Sequence, residues 1–393
     1  MKFAPQLKHH IAIIAAVLLV FCSTIQGQTA ATANRGAPRD FNMLVLGDSI
    51  LWGQGLKTEH KSWYMVKSWL EETRGLIVRE TIEAHAGAMI GSAGTAPPKS
   101  LTVYGEVNSA WPTLHDQIDD ALRSIGDPSQ VDIVLVDGCI NDINGRRFLN
   151  AANTPEGIQA LAEEKCGAPV EQLLLRITSS FPNAHVVATG YYPVISEKTP
   201  RDLFMRALAK RFYAPLTSEH PKLSDDELFD RLTTVSHTWY EASNRILMQA
   251  VAKVNEQLAA KGSRQRVSFA KVIFLPEHAF AARDSRLWGF DATTVRKMLA
   301  LVTLGRVSLQ ANDEVRSQRS SMCEDFFRKQ PGETDDQKRA RKDSLMVCRL
   351  AAIAHPNRKG AVMYADAIKE QVQNLASSIG WLRTAAVTAS ASQ

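Results

Sequence analysis

The sequence lacks most of the features that mark a metalloprotein or a nucleic-acid-binding protein. No Cys-x-x-Cys pair and no His-x-x-x-His pair occurs among its 393 residues, so we expect neither a metal nor a cofactor. The formal net charge is only +5, which predicts no nucleic-acid partner. With 45% hydrophobic and 22% charged residues, the composition is that of an ordinary globular protein with enough apolar material for a large core.

Long apolar runs are also scarce. The run at residues 11–21 follows Lys2 and Lys8 and is itself followed by small and polar residues, which is the layout of a secretory signal peptide over residues 1–30. A permanent anchor is the alternative, but the run is short for a bilayer span and no other segment qualifies. We therefore expect a secreted or periplasmic mature chain without a membrane span, with its net charge lowered to +3 by loss of the two lysines.

Beyond this leader the chain contains few cysteines, namely Cys139, Cys166, Cys323 and Cys348. An even number in an exported protein predicts two disulfides. Sequence order favours Cys139 with Cys166 and Cys323 with Cys348. Three pairings are possible, and buried free thiols are the alternative.

The stretch Phe41 to Leu51 reads F-N-M-L-V-L-G-D-S-I-L. Its large apolar residues meet Gly47 without a polar transition, which predicts a buried parallel strand that ends in a tight turn. Ser49 would then lie at the carboxyl end of the strand, where open α/β sheets bind ligands. By itself the G-D-S tripeptide is also compatible with an ordinary turn.

Apolar runs alternate with helical patterns along the rest of the chain. We predict further strands over 76–84, 131–136, 185–192 and 266–274. We predict helices over 62–72, 111–124, 155–181 with a break near 167–169, 239–260 and 359–379. This alternation indicates right-handed crossovers and a parallel sheet that is covered on both faces.

The periodicity fails in two long stretches. We interpret these as insertions, at about residues 197–237 and 275–349, in a single domain that spans residues 40–380. The basic run 338–342 in the second insertion has acidic neighbours and is typical of a solvated surface. The last residues, 381–393, are rich in Ala and Ser and are expected to be frayed.

Candidate functional residues follow the predicted strands. Gly87 lies in a small-residue turn after the second strand, and Asn141 lies in D-G-C-I-N-D after the third. His355 precedes Pro356 and Asn357, turn formers between the last strand and the last helix, so its loop can return to the edge that carries Ser49. A serine nucleophile needs a nearby base, normally histidine, although a buried structural histidine is the alternative.

The same edge supplies donors for an oxyanion. Acyl transfer requires such donors, and the Ser49 N–H, the Gly87 N–H and the Asn141 side chain are the candidates. Asn141 alternatively caps a turn. Asp48 and Asp142, which neighbour two of these positions, are interpreted as turn and network residues.

In chain order, G-D-S, Gly87, G-C-I-N-D and H-P-N resemble the four blocks of the SGNH, or GDSL, hydrolase superfamily over about residues 42–379. The resemblance implies a flavodoxin-like, three-layer α/β/α sandwich with about five parallel strands. It also implies Ser49 as nucleophile and His355 as base. Members are esterases, lipases, thioesterases and carbohydrate deacetylases. Position 51 is Leu, so the G-x-S-x-G elbow of α/β-hydrolases is absent.

One position departs from the family pattern. The family usually has an aspartate three residues before its histidine, whereas this chain has Ala352. We favour a Ser–His dyad whose imidazole is oriented by a backbone carbonyl, and the alternative is a carboxylate from elsewhere, such as Asp284 or Asp343. We expect an exported serine esterase for short-chain acyl esters or acetylated saccharides. The alternatives are a lipase for longer acyl chains and a binding protein that has lost turnover.

Overall fold

The computed structural model describes residues 40–91, 105–143, 148–213, 223–291 and 310–379. The predicted signal peptide and the tail 381–393 lie outside these ranges. Among the described residues, no helix is both long enough and apolar enough to cross a membrane.

A five-stranded sheet in which every neighbouring pair is parallel forms the centre of the protein, with strand order β2-β1-β3-β4-β5. The strands are β1 (Asp40–Leu46), β2 (Ile77–Ile82), β3 (Val131–Val136), β4 (His185–Thr189) and β5 (Val267–Ala270). This is the order of flavodoxin-like doubly wound folds. The predicted number and direction of the strands are confirmed.

The inner strands β1, β3 and β4 bury both of their faces, and their side chains alternate between two apolar clusters. Leu44 and Val134 join one cluster, whereas Val45 and Leu135 join the other. Continuous apolar runs are typical of parallel strands covered on both sides.

Helices cover the two faces. Bounds of the helices in chain order are α1 (Ser49–Trp52), α2 (Ser62–Arg74), α3 (Leu114–Ser124), α4 (Ile140–Ile143), α5 (Pro155–Cys166), α6 (Ala168–Ser180), α7 (Leu203–Tyr213), α8 (Asp225–Ala260), α9 (Arg316–Phe326), α10 (Asp335–Arg349) and α11 (Arg358–Ile379). Helices α3, α5, α6 and α8 pack on one face, and α2 and α11 on the other. The three-layer α/β/α architecture is therefore confirmed.

Three strands are shorter than predicted, and the first of them, β2, spans Ile77–Ile82 rather than 76–84. β5 ends at Ala270 rather than 274, and β4 ends at Thr189 rather than 192. β5 is an edge strand whose partner is β4. Once β4 ends, the residues after Ala270 have no ladder to join, although their apolar character continues.

The predicted start of the helix at 239 is wrong, because α8 begins at Asp225. A capping box between Ser224 and Glu227 starts the helix, and buried side chains such as Phe229 and Leu232 supply its inward face. The mixed charged and aromatic residues of this stretch concealed its helical period. The break predicted near 167–169 is confirmed, since α5 ends at Cys166 and α6 begins at Ala168.

Two disulfides join the predicted pairs. Cys139 bonds Cys166, which ties the turn after β3 to the end of α5. Cys323 bonds Cys348 and joins α9 to α10.

Removal of either disulfide should destabilise the fold to a similar extent. The cysteines are 27 and 25 residues apart, so each Cys-to-Ser double variant should lower the free energy of unfolding by about 3.5 kcal/mol in the chain-entropy model. Urea denaturation of Cys139→Ser/Cys166→Ser and of Cys323→Ser/Cys348→Ser measures both losses. A pair whose loss leaves stability unchanged would contradict the assignment of that disulfide.

Candidate active site

The turn after β1 places Ser49 as the first residue of α1. Asp48 caps this helix through its side chain, which accepts from the Ile50 N–H. Gly47 has φ of +142°, and a Cβ there would lie 1.9 Å from Oδ1 of Asp137. Only glycine fits between the strand end and that carboxyl group, so the G-D-S turn is set by the neighbouring strand β3.

Ser49 and His355 form a direct hydrogen bond across 306 residues of sequence. The Ser49 Oγ lies 2.8 Å from Nε2 of the imidazole. The other ring nitrogen, Nδ1, faces the carbonyl oxygen of Ile353 at 3.3 Å. Ser49 is 6% exposed and His355 is half-buried. The structure therefore brings together the hydroxyl and the imidazole that were predicted from separate motifs.

Backbone and side-chain bonds hold the His355 segment in place. Trp288 donates its N–H to the His355 carbonyl at 2.7 Å and accepts from the Ala354 N–H at 2.9 Å. The Tyr192 hydroxyl donates to the Ala354 carbonyl at 2.8 Å. Ala354 has φ of +63°, a strained value for a residue with a Cβ, and these bonds keep it there.

Asn357 supports the same segment from the other side. Its Oδ1 accepts the N–H groups of Lys359 and Gly360 at the start of α11. Its Nδ2 donates to the carbonyls of Ser285 and Leu287. Asn357 thus joins the helix start to the segment that pairs with the histidine.

No carboxylate of the described residues lies within hydrogen-bonding distance of the His355 Nδ1. Ala352 is fully buried in a small apolar cluster. Asp284 pairs with Arg286 and Lys359, and Asp343 lies on the exposed side of α10. Asp284 is therefore engaged by other residues, and the exposed Asp343 forms no hydrogen bond with His355 in the described part of the chain, so neither substitutes for a carboxylate at the imidazole.

The turns after β2 and β3 contact each other. The Asn141 Nδ2 donates to the carbonyl of Ala88 at 2.9 Å, next to Gly87. Gly87 has φ of +82°, and a Cβ there would lie 1.9 Å from Oδ1 of Asn108. A larger residue is excluded at position 87, because the Asn108 side chain fills the space beside its Cα.

Asp142 strengthens the contact between these two turns. Its Oδ2 accepts the N–H of Ile90 at 3.0 Å. Asp142 thereby joins the turn after β3 to the turn after β2.

Side-chain carboxylates satisfy the backbone N–H groups on both sides of Ser49. The two Asp137 oxygens accept from the N–H groups of Asp48 (2.6 Å) and Leu51 (2.9 Å), and Asp48 accepts from Ile50. Within the described part of the chain, no acceptor bonds the N–H of Ser49. The turn therefore keeps one donor free beside the hydroxyl.

No protein-family model matches the sequence, and no curated protein matches it. Among solved structures, phospholipase A1 from Streptomyces albidoflavus NA297 is 13% identical, with 64% of this chain and 88% of that chain covered and a TM-score of 0.38. The lipase Lip_vut3 from a goat rumen metagenome is 11% identical, with 84% of this chain and 96% of that chain covered and a TM-score of 0.38. The esterase EstA from Pseudoalteromonas sp. is 10% identical, with 86% of this chain and 98% of that chain covered and a TM-score of 0.33. Sequence identities and TM-scores this low do not assign a function to this chain. The functional proposal therefore rests on the geometry of the site.

Burial and a buried cation keep the imidazole neutral. Burial lowers the pKa of His355 from 6.5 to about 4, and the positive charge of Arg319 acts in the same direction. Arg319 is fully buried and forms ion pairs with Asp313 and Glu106. A neutral imidazole is the form that accepts a proton from a hydroxyl.

The two carboxyl groups behind Ser49 hold protons more strongly than usual. Burial raises the pKa of Asp48 to about 6. Burial and the charge of Asp48 raise the pKa of Asp137 well above its ordinary value. Two carboxylates in one buried site favour retention of a shared proton.

Sequence reasoning missed Asp137, Tyr192 and Arg319 as parts of this site. Asp137 directly follows β3, so its place at the carboxyl end of a strand was a usable signal. The roles of Tyr192 and Arg319 depend on contacts between distant segments, and no local pattern indicates them.

In the described residues, no group of three or more His, Cys, Asp or Glu side chains is arranged to hold a metal ion.

The imidazole of His355 should titrate near pH 4 rather than 6.5. NMR titration, with the resonance assigned by its absence from a His355→Asn variant, measures this midpoint. Between pH 4 and 6.5 the imidazole is protonated in the unfolded chain but not in the folded chain. The contribution of His355 should therefore lower the free energy of unfolding as the pH falls through that range. A midpoint near 6.5 in the folded protein would contradict the buried, Arg319-facing environment.

Proposed function

We propose that the protein is a serine ester hydrolase. The observation that carries the proposal is the 2.8 Å hydrogen bond between the Ser49 Oγ and the His355 Nε2. Serine is a weak nucleophile by itself and becomes reactive when an adjacent base removes its proton. The hydroxyl also lies at the carboxyl edge of a parallel sheet, where such folds bind ligands.

In the proposed reaction, the Ser49 Oγ attacks the ester carbonyl carbon while His355 Nε2 takes the hydroxyl proton. The carbonyl oxygen becomes an oxyanion, which the Ser49 N–H, the Gly87 N–H and the second hydrogen of the Asn141 amide stabilise. The imidazolium then protonates the leaving alkoxide, and an acyl-Ser49 ester remains. Water, deprotonated by His355, hydrolyses this ester, and the proton returns to Ser49.

We propose a dyad rather than a triad. An Nδ1–H that donates to the Ile353 carbonyl leaves Nε2 as the acceptor for the Ser49 proton, so a backbone group sets the tautomer. A carbonyl carries no full negative charge, and it stabilises an imidazolium less than a carboxylate does. With Ala352 in place of the aspartate, turnover is expected to be slower than in a complete triad.

Esters of short acyl groups or acetylated saccharides are the proposed substrates. The proposed location is secreted or periplasmic, where disulfides such as the two in this protein form and persist. Long-chain lipids would require an apolar trough, and the insertion from Phe204 to Trp239 is the only candidate for it. Phe204, Met205 and Leu208 are buried in the main hydrophobic core instead. Their apolar surface is therefore occupied by the protein, which disfavours the lipase alternative.

Replacement of Ser49 should abolish ester hydrolysis. Ser49→Ala is expected to lower kcat on nitrophenyl acetate and butyrate by at least about 10³-fold, because no nucleophile remains. A fluorophosphonate should add one label to the wild type, and peptide mass spectrometry should locate it at Ser49. Ser243→Ala, at a buried serine of α8, is the matched control and should retain activity and labelling.

Equal rates for the wild type and Ser49→Ala would remove the hydrolase proposal. An unlabelled Ser49 in folded protein would favour the binding-protein alternative.

Chain-length dependence separates a short-chain esterase from a lipase. We expect kcat/KM to fall from acetyl and butyryl to palmitoyl esters, because Phe204, Met205 and Leu208 of α7 pack into the core. A panel of nitrophenyl esters and acetylated sugars, with Ser49→Ala as the blank, measures this preference. A higher kcat/KM on palmitoyl than on acetyl esters would support the lipase alternative instead.

A further inference from the structure

The hydroxyl of Tyr191 bridges the two turns that carry the proposed oxyanion donors. It donates to Oδ2 of Asp48 at 3.2 Å and accepts from the N–H of Ile140 at 3.1 Å. Asp48 directly precedes Ser49, and Ile140 directly precedes Asn141. One oxygen atom is thus bonded to both residues that immediately precede the proposed donors.

We infer that Tyr191 is a positioning residue that holds the Ser49 turn and the Asn141 turn at a set separation, so that their donors meet the same oxyanion. The inference rests on the proposed function. Tyr191 is not expected to contact the substrate, because it is 1% exposed, and it acts through Asp48 and Ile140.

The scaffold fixes the position of this tyrosine from behind. Asn244 of α8 accepts the Tyr191 N–H at 3.2 Å and donates to the Tyr191 carbonyl at 3.1 Å. The ring packs against fully buried Trp239, with ring centroids 5.7 Å apart. A side chain at Gly190 would collide with Asn244, since its Cβ would lie 1.8 Å from the Asn244 Oδ1. The hydroxyl is therefore a rigid reference point for two short turns.

The two bonds add to supports that each turn has separately, since Asp137 holds the Ser49 turn and the Cys139–Cys166 disulfide holds the turn after β3. Helices α1 and α4 contain four residues each and cannot hold their orientation by helical hydrogen bonding alone. Without the hydroxyl, a buried carboxylate oxygen and a buried N–H each lose a partner, and the turns would shift to recover one. Hydrogen-bond donors stabilise a tetrahedral intermediate only over a narrow range of distance. A small shift of the donors therefore reduces kcat more than it weakens substrate binding in the ground state.

Tyr191→Phe tests the inference with Tyr364→Phe as the matched control. Tyr364 is equally buried, and its hydroxyl donates to the Gly190 carbonyl at 2.8 Å; among the described residues it hydrogen-bonds neither turn. We expect Tyr191→Phe to lower kcat on nitrophenyl acetate by about 10- to 100-fold with KM changed less than about twofold. Tyr364→Phe should change kcat less than about twofold, with a comparable loss of thermal stability.

A double-mutant cycle with Asn141→Ala shows whether Tyr191 acts through the donors. If it does, Tyr191→Phe should reduce kcat less in the Asn141→Ala background than in the wild type, because one positioned donor is already gone. Equal kcat for Tyr191→Phe and Tyr364→Phe, or fully multiplicative effects in the cycle, would overturn the inference while the wild type remains active. A wild type without Ser49-dependent turnover would overturn the proposed function and this inference with it.

Discussion

The buried carboxyl group of Asp137 is the interaction on which the geometry of the candidate site depends. Its two oxygens bond the backbone on both sides of Ser49, and its position excludes any side chain at Gly47. Strand β3 thereby determines where the end of β1 turns. The direction of the Ser49 hydroxyl towards His355 and the free N–H of Ser49 both follow from this turn.

The site combines a histidine that resists protonation with carboxyl groups that resist ionisation. Three residues before the histidine this chain has the buried apolar Ala352, and the charge of the Arg319 guanidinium acts on the imidazole. Arg319 is itself neutralised by Asp313 and Glu106, and Glu106 also accepts from Trp52 at the end of α1 and from Gln54 just after it. The ion cluster therefore connects the second predicted insertion to the segment that follows Ser49, and the charge of Arg319 adds to burial in lowering the pKa of His355.

Structural features that depend on interactions between residues close in sequence were predicted well, and features that depend on distant contacts were not. Strand β3 and the break between α5 and α6 were predicted closely, because continuous apolar residues and a Gly-Ala-Pro sequence act locally. The start of α8 was missed because a capping box and a core-facing stripe lay within a charged and aromatic stretch. Strand β5 was predicted too long because its end is set by the length of its neighbour β4.

The sequence by itself determined the parallel α/β fold, favoured the two cysteine pairs among three possible pairings, and singled out Ser49, Gly87, Asn141 and His355. Strand-end glycines and polar residues after apolar runs are local signals that follow from strand geometry. Only the tertiary structure decided that a backbone carbonyl faces the His355 Nδ1, that Asp284 and Asp343 do not, and that Tyr191 links two turns. These contacts join segments far apart in the chain, and hydrogen-bond partners at such separations are set by packing rather than by local pattern.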